Sequence, residues 1–219
     1  MEIVARILCL VVGYFMGLIQ TSYIYGKLNG IDIREYGSGN AGTTNALRVL
    51  GKKAGLIVFI GDLLKAAIAC VIARFIGVHF FPDIVFPMIL WAGFGVVIGH
   101  NYPFYMNFKG GKGIAATAGV ILGILDWRIM VICLVSFIIT VAITRYVSLG
   151  SLIVVSLFFV VFLILGLSSK INDPATGNAL SGGDLIESYI IIFLFGSLAF
   201  YRHKANIIRL MHGEENKLF

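Results

Sequence analysis

Apolar and polar positions separate into long blocks along this chain rather than alternating. Apolar stretches run over residues 3–26, 54–77, 84–105, 128–144, 147–167 and 185–201, with a shorter one over 114–125. A helix needs about 20 apolar residues to cross a hydrocarbon core of about 30 Å. The shorter stretch, taken as a helix, spans only about 18 Å at about 1.5 Å per residue, and it reads as a short crossing. Irregular backbone cannot face lipid, so every stretch is expected to be helical. The pattern predicts an all-α integral membrane protein with seven transmembrane helices, one of them short, and cytoplasmic active-site loops. It predicts a single domain over residues 1–219, with no tandem repeat and no soluble second domain. The first stretch has no A-x-A-type cleavage site and reads as a retained span.

Composition sharpens this reading. Hydrophobic residues make up 59% of the chain and charged residues 13%, against roughly 25% charge in soluble domains. A water-soluble core, disorder and a disulfide scaffold are all excluded. Cys9, Cys70 and Cys133 lie inside apolar stretches and read as small hydrophobes. The 26 glycines point to close helix packing, tight polar turns, or both.

Charge gives an orientation. One set of loops holds twelve Lys and Arg, the other holds Arg6, Arg74, Arg128 and Lys170, and Lys65 lies within a span. The positive-inside rule then predicts a cytoplasmic C-terminus and an outside N-terminus. The net charge of +6 suits anionic headgroups or an anionic substrate, although orientation alone also accounts for it.

Three polar motifs stand out on the cytoplasmic side. The first is REYGSGNAGTTNALR, residues 34–48. Gly37, Gly39 and Gly42 match G-x-G-x-x-G, but no parallel strand precedes them, which disfavours dinucleotide binding. Glycines still let backbone N–H groups crowd an anion. Ser38, Asn40, Thr43, Thr44 and Asn45 add neutral donors, and Arg48 adds a forked cation. The competing reading is a flexible turn-rich linker.

The second motif is GHNYPFYMNFKGGKG, residues 99–113. Gly110, Gly111 and Gly113 surround Lys112, and the short helix follows at once. A glycine turn entering a helix N-terminus is an anion site. The P-loop spacing fails, so nucleotide hydrolysis is disfavoured. A tightly packed positive-inside turn is the alternative.

The third motif is YRHKANIIRLMHGEE, residues 201–215. Arg202, Asn206 and Arg209 fall on one face if the last span continues as a helix, and His203 is three residues from Asn206. A basic juxtamembrane tail on anionic headgroups is the alternative.

Other polar residues are less specific. Ser148 and Ser151 follow Arg145 at a helix break, either to line a phosphate site or to cap the helix. Asp62 and Lys65 lie within a span, three residues apart, and read as structural support rather than catalysis. His100 either orients the second loop or is a satisfied helix-end histidine. No Cys or His cluster has metal-ligand spacing. A transporter for a phosphorylated metabolite is the main rival function, but the polar residues crowd the cytoplasmic ends rather than the midplane.

Taken together, GSGNAGTTNALRVLGKKAG (37–55), the 99–117 segment, RYVSL (145–149) and the 202–214 segment resemble the bacterial membrane acyltransferases of the PlsY type. The resemblance covers nearly the whole chain. GIAATA stands after Lys112 where a form closer to GVATA is expected, and the outer loop 168–184 is long. The resemblance implies acyl transfer from acyl-phosphate to the 1-hydroxyl of glycerol 3-phosphate at the cytoplasmic leaflet of the bacterial inner membrane. Lysophosphatidate and phosphate are the implied products. It implies no cofactor, no nucleic-acid partner, and functional coupling to an acyl-phosphate-producing enzyme. In agreement, no H-x-x-x-x-D signature of acyl-CoA-dependent enzymes is present: Ile84, Tyr105, Ile208 and Lys217 stand at the aspartate position. By the resemblance, Ser38, Arg48, Lys112, Ser148 and Ser151 bind the acyl-phosphate, while His203, Asn206, Arg209 and Asn45 hold glycerol 3-phosphate. Thr44 supports the first loop and Glu214 tethers the third motif. The proton acceptor is the substrate's own phosphate or, alternatively, His203, and a covalent acyl-Ser38 is a third option.

Overall fold

The structure, a computed structural model, describes residues 1–218. The described residues form nine α-helices and short connecting turns, with one isolated β-bridge between Asn172 and Ala179. Six helical stretches are long and apolar enough to cross a membrane, and Ile114–Ile124 is a shorter apolar helix. The protein is thus a multi-pass all-α membrane protein. Internal contacts divide it into two compact units, residues 1–124 and the residues from Leu125 onward.

The first unit holds α1 (Glu2–Gly17), α2 (Thr21–Leu28), α3 (Thr43–Phe80), α4 (Val85–Asn101) and α5 (Ile114–Ile124). α1 and α4 cross through glycines on both helices. A Cβ on Gly13 or Gly17 would lie 2.2 or 2.3 Å from the Ala92 or Val96 carbonyl oxygen, and one on Gly95 or Gly99 would lie 2.2 or 2.1 Å from that of Leu10 or Tyr14. With lipid on all sides, helices gain by such close backbone approach rather than by hydrophobic burial.

The first apolar stretch does not form one continuous helix as expected. α1 ends at Gly17 and α2 begins at Thr21. Leftover helix carbonyls in a water-poor environment cost several kcal/mol each unless they find a donor. Lys65 Nζ supplies one, donating to the Ile19 oxygen at 2.6 Å and the Gly17 oxygen at 3.3 Å. Asp62 Oδ1 balances the ammonium at 2.9 Å and accepts from Thr21 Oγ1 at 3.2 Å. The pair is nearly inaccessible to solvent and closes a break in the fold, which matches the structural reading of it.

α3 starts eleven residues before the apolar stretch 54–77, so residues 43–48 are helical rather than loop. Gly51 interrupts the helix with φ 86° and ψ −177°, a conformation open to almost no other residue. At the other end Arg74 Nη2 donates to the Gly123 and Ile124 oxygens at 3.2 and 2.8 Å, capping the C-terminus of α5.

The second unit holds α6 (Trp127–Thr144), α7 (Val147–Leu167), α8 (Gly182–Arg202) and α9 (Lys204–Met211). Edge-to-face pairs Phe158–Phe195 and Phe162–Tyr189 join α7 to α8. The long loop between α7 and α8 is closed by Leu180 N–H on the Ile171 oxygen at 2.7 Å and by Asp173, which accepts from the N–H groups of Ala175 and Thr176. The tail returns to the α6–α7 break, where Leu218 N–H donates to the Arg145 oxygen at 2.9 Å.

Candidate functional site

The first glycine turn is built backwards from α3. Asn45, 1% exposed in the first turn of that helix, accepts from Ser38 N–H at 2.8 Å and donates to the Ile33 and Tyr36 oxygens at 3.0 Å each. Both its N–H groups are therefore committed to the loop. The amide of Asn45, expected to hold a substrate, here shapes the turn. Gly37 and Gly39 take φ of +61° and +69°, and Gly42 precedes α3. Ser38 is exposed, Asn40 and Thr44 are half-buried, and Arg48 is exposed early in α3. The first motif, like the second, thus ends at a helix N-terminus, where free N–H groups favour an anion.

The second turn is built on the end of α4. Gly111 N–H donates to the His100 oxygen at 3.1 Å and Gly110 N–H to the Asn101 oxygen at 3.2 Å. Lys112 follows, half-buried, then Gly113 at φ +81° and the first residue of α5. Asn101 lies fully buried beside Gly113, with neither amide atom hydrogen-bonded.

These two turns meet. A Cβ on Gly111 would lie 2.0 Å from His100 Nε2 and 2.7 Å from the Ala41 oxygen of the first turn. Ile33, Ala41 and Met106 form one buried apolar cluster joining both loops. Arg34 adds a polar tie, donating to Asp32 at 2.7 and 3.0 Å and to the Met106 oxygen at 3.3 Å. The hydrogen-bonded Arg34 guanidinium holds the Asp32 carboxyl down at about 2. Tyr14 and Tyr105 anchor the connecting segment, the first by donating to the Tyr102 oxygen at 2.9 Å and the second to the Leu18 oxygen at 2.7 Å.

The second unit gathers its own polar groups. Ser148 and Ser151 both lie in the first turns of α7, but they differ. Ser151 Oγ donates to the Val147 oxygen of its own helix at 2.8 Å, whereas Ser148 Oγ is buried without a hydrogen-bond partner. Neither caps the helix, because Tyr146 holds that position.

The helix through the third motif breaks at His203, between α8 and α9. The expected continuous face is therefore interrupted, with Arg202 before the break and Asn206 and Arg209 after it. His203 is buried, and its Nδ1 lies 2.8 Å from the Ala199 oxygen. A carbonyl only accepts, so the neutral ring carries its proton on Nδ1 and its lone pair on Nε2. Asn206 Nδ2 and Arg209 Nε each donate to the Glu215 carboxylate at 2.8 Å. The tether is thus Glu215, not the Glu214 expected from sequence. Two adjacent glutamates gave no basis for choosing, whereas the turn at Gly213 buries the second.

An apolar groove of about 400 Å³ runs between α1 and α3, lined among others by Leu8, Val12, Met16, Ile72 and Ile76. It lies along the α3 half remote from the glycine turns.

A family model described as glycerol-3-phosphate acyltransferase matches residues 7–213, running through both units. A glycerol-3-phosphate acyltransferase of Clostridioides difficile is 42% identical over 219 residues, covering 100% of this chain and 98% of that protein. One of Chlorobaculum tepidum is 40% identical, covering 95% and 94%. The crystal structure of PlsY, an integral membrane glycerol 3-phosphate acyltransferase, in its glycerol 3-phosphate form superposes with a TM-score of 0.79 at 31% identity. It covers 97% of this chain and 94% of that one. The lysophosphatidic acid form of the same enzyme gives 0.76. With a family model over residues 7–213, relatives at 40% identity or more, a matching fold and near-complete coverage, this chain belongs to the glycerol-3-phosphate acyltransferase family of the PlsY type.

Proposed function

We propose that the protein transfers a fatty acyl group from acyl-phosphate to the 1-hydroxyl of glycerol 3-phosphate, giving lysophosphatidate and inorganic phosphate. The observation that carries this reading is the meeting of two glycine turns, each opening a helix N-terminus, beside Lys112. Such a corner is suited to a phosphate, and the PlsY structures with glycerol 3-phosphate and lysophosphatidic acid support the acceptor and product.

In this reaction the 1-hydroxyl oxygen attacks the acyl carbonyl carbon, and the bond from that carbon to the phosphate oxygen breaks. Charge gathers on the carbonyl oxygen and the leaving phosphate. Ser38, Arg48 and Lys112, with the amides of Gly37 and Gly113, hold that charge, while the N–H groups of Gly39, Gly42, Gly110 and Gly111 close the two turns on backbone oxygens around it. Fixed donors of this kind stabilise a transition state without reorganising. Asn40 and Thr44 support the first turn, and Ser148, buried and unpartnered, is the better of the two serines for a phosphate oxygen. Asn206 and Arg209, aligned by Glu215, take the phosphate of glycerol 3-phosphate.

The hydroxyl proton passes to the acceptor's own phosphate, whose second pKa is about 6. His203 is the alternative acceptor, and its Nε2 lone pair is what recommends it. The acyl chain lies along apolar helix faces at about 0.8 kcal/mol per buried methylene.

The whole chain acts as one acyltransferase domain in the bacterial inner membrane, N-terminus outside and C-terminus cytoplasmic, coupled to an enzyme that makes acyl-phosphate. Transport is disfavoured because Lys65 is spent on backbone carbonyls and on Asp62, and Asp62 on Lys65 and Thr21. The test is a donor comparison on purified protein. Acyl-phosphate with glycerol 3-phosphate should release phosphate and form lysophosphatidate, whereas acyl-CoA should give none. Equal or better use of acyl-CoA would overturn the reading.

A further inference from the structure

The buried ion pair reaches beyond the α1 break. Lys65 Nζ lies 3.0 Å from His100 Nδ1. Its other contacts are with Asp62 at 2.9 Å and with the Ile19 and Gly17 oxygens at 2.6 and 3.3 Å. An ammonium has three hydrogens and accepts nothing. At 3.0 Å from a group that only donates, His100 Nδ1 is therefore an acceptor. Asp62 is 3.6 Å from the same nitrogen, too far for a hydrogen bond. The ring proton then belongs on Nε2, the atom facing the corner where Gly111 meets the Ala41 carbonyl. The His100 backbone oxygen is pinned from two sides, by Gln20 Nε2 at 2.9 Å and by Gly111 N–H at 3.1 Å. Lys65, Asp62 and His100 are all at most 5% exposed.

We infer that Lys65, locked by Asp62, is a positioning residue that holds His100 as its Nε2–H tautomer, and that this N–H keeps the two glycine turns in register for phosphate. The inference rests on reading those turns as the acyl-phosphate site. It assigns a role in the reaction to a charge deep in the membrane that touches no substrate. The chain of contact runs from ammonium to imidazole to backbone, and a displacement of about 1 Å at the turns is enough to cost about 100-fold in rate.

The two ring nitrogens can be tested separately. In a glutamine side chain the amide falls near the Nε2 position, and in asparagine near Nδ1. His100→Gln should keep a donor at the turns and lose less than about 10-fold in kcat/KM for acyl-phosphate. His100→Asn should lose about 100-fold, with the KM for glycerol 3-phosphate unchanged in both. Thermal melting of both variants in detergent checks that they fold, and both retain Lys65. Nitrogen-15 NMR of histidine-labelled full-length protein should show His100 protonated at Nε2 and bare at Nδ1. Equal losses in the two variants, or a proton on Nδ1, would overturn the inference. Should the wild type ignore acyl-phosphate, the functional reading fails, while the ring-nitrogen shifts still decide the tautomer independently.

Discussion

The two polar regions of this chain are built from different materials. In the first unit the framework is mostly backbone, glycine turns whose N–H groups close on neighbouring carbonyls, with Asn45 behind the first turn and His100 beside the second. In the second the donors are side chains, Asn206 and Arg209, aligned by one carboxylate. A backbone site is rigid and cannot be removed by truncating a side chain, only by adding one. A side-chain site is tunable and is lost by truncation. Under the proposed function, the first would take the reacting phosphate and the second the acceptor.

That contrast can be broken most severely at Gly111. Gly111→Ala would put a methyl 2.0 Å from His100 Nε2, and kcat/KM for acyl-phosphate should fall by about 100- to 1,000-fold. A steady-state phosphate-release assay reads this directly. Retention of activity would mean that the two turns do not need their close contact.

A smaller break is expected in the second unit. Glu215→Gln keeps one acceptor for Asn206 or Arg209 but removes the charge that orders both. The KM for glycerol 3-phosphate should rise about 10-fold, as for the loss of a charge-assisted hydrogen bond of about 1.5 kcal/mol, while Glu214→Gln stays near wild type. An unchanged KM in Glu215→Gln would remove the carboxylate from the account.

Gly51→Ala tests the backbone without touching either region. Nothing crowds a Cβ there, but φ is +86°, so the cost is conformational, about 1–3 kcal/mol. It should appear as a lower melting temperature with a nearly normal KM for both substrates.

The weakest effect belongs to the Asp32–Arg34 tie. Asp32 is held at about 2, below its ordinary value of about 3.9. Its folded value is depressed, so its contribution to stability is fully present above about pH 3.9 and is lost as pH falls towards 2. Wild type should lose loop stability over that window, and Asp32→Asn should lose less over the same window. Melting curves between pH 2 and pH 5 would show whether the two respond alike, which would contradict the assignment.

Sequence carried the spans and the motifs because both depend on local composition. The apolar stretches mark where the helices lie, and glycines beside Lys112 announce the turn that opens α5. Breaks in helices were not legible for the same reason. Leu18 and Ile19 are as apolar as their neighbours, and what permits the gap is Lys65, 46 residues away from the carbonyl it serves. The early start of α3 was hidden because Thr43, Thr44 and Asn45 read as loop residues, yet Asn45 earns its place there by bonding back to the turn. Glu215 and the separation of Ser148 from Ser151 depend on where a chain turns, which spacing alone does not encode.

The most direct test of the division of labour is a pair of single substitutions read against both substrates. Lys112→Ala should raise the KM for acyl-phosphate and leave that for glycerol 3-phosphate unchanged, and Arg209→Ala should do the reverse. If both substitutions raised the same KM, or if neither discriminated between the substrates, the assignment of one phosphate to each region would be contradicted.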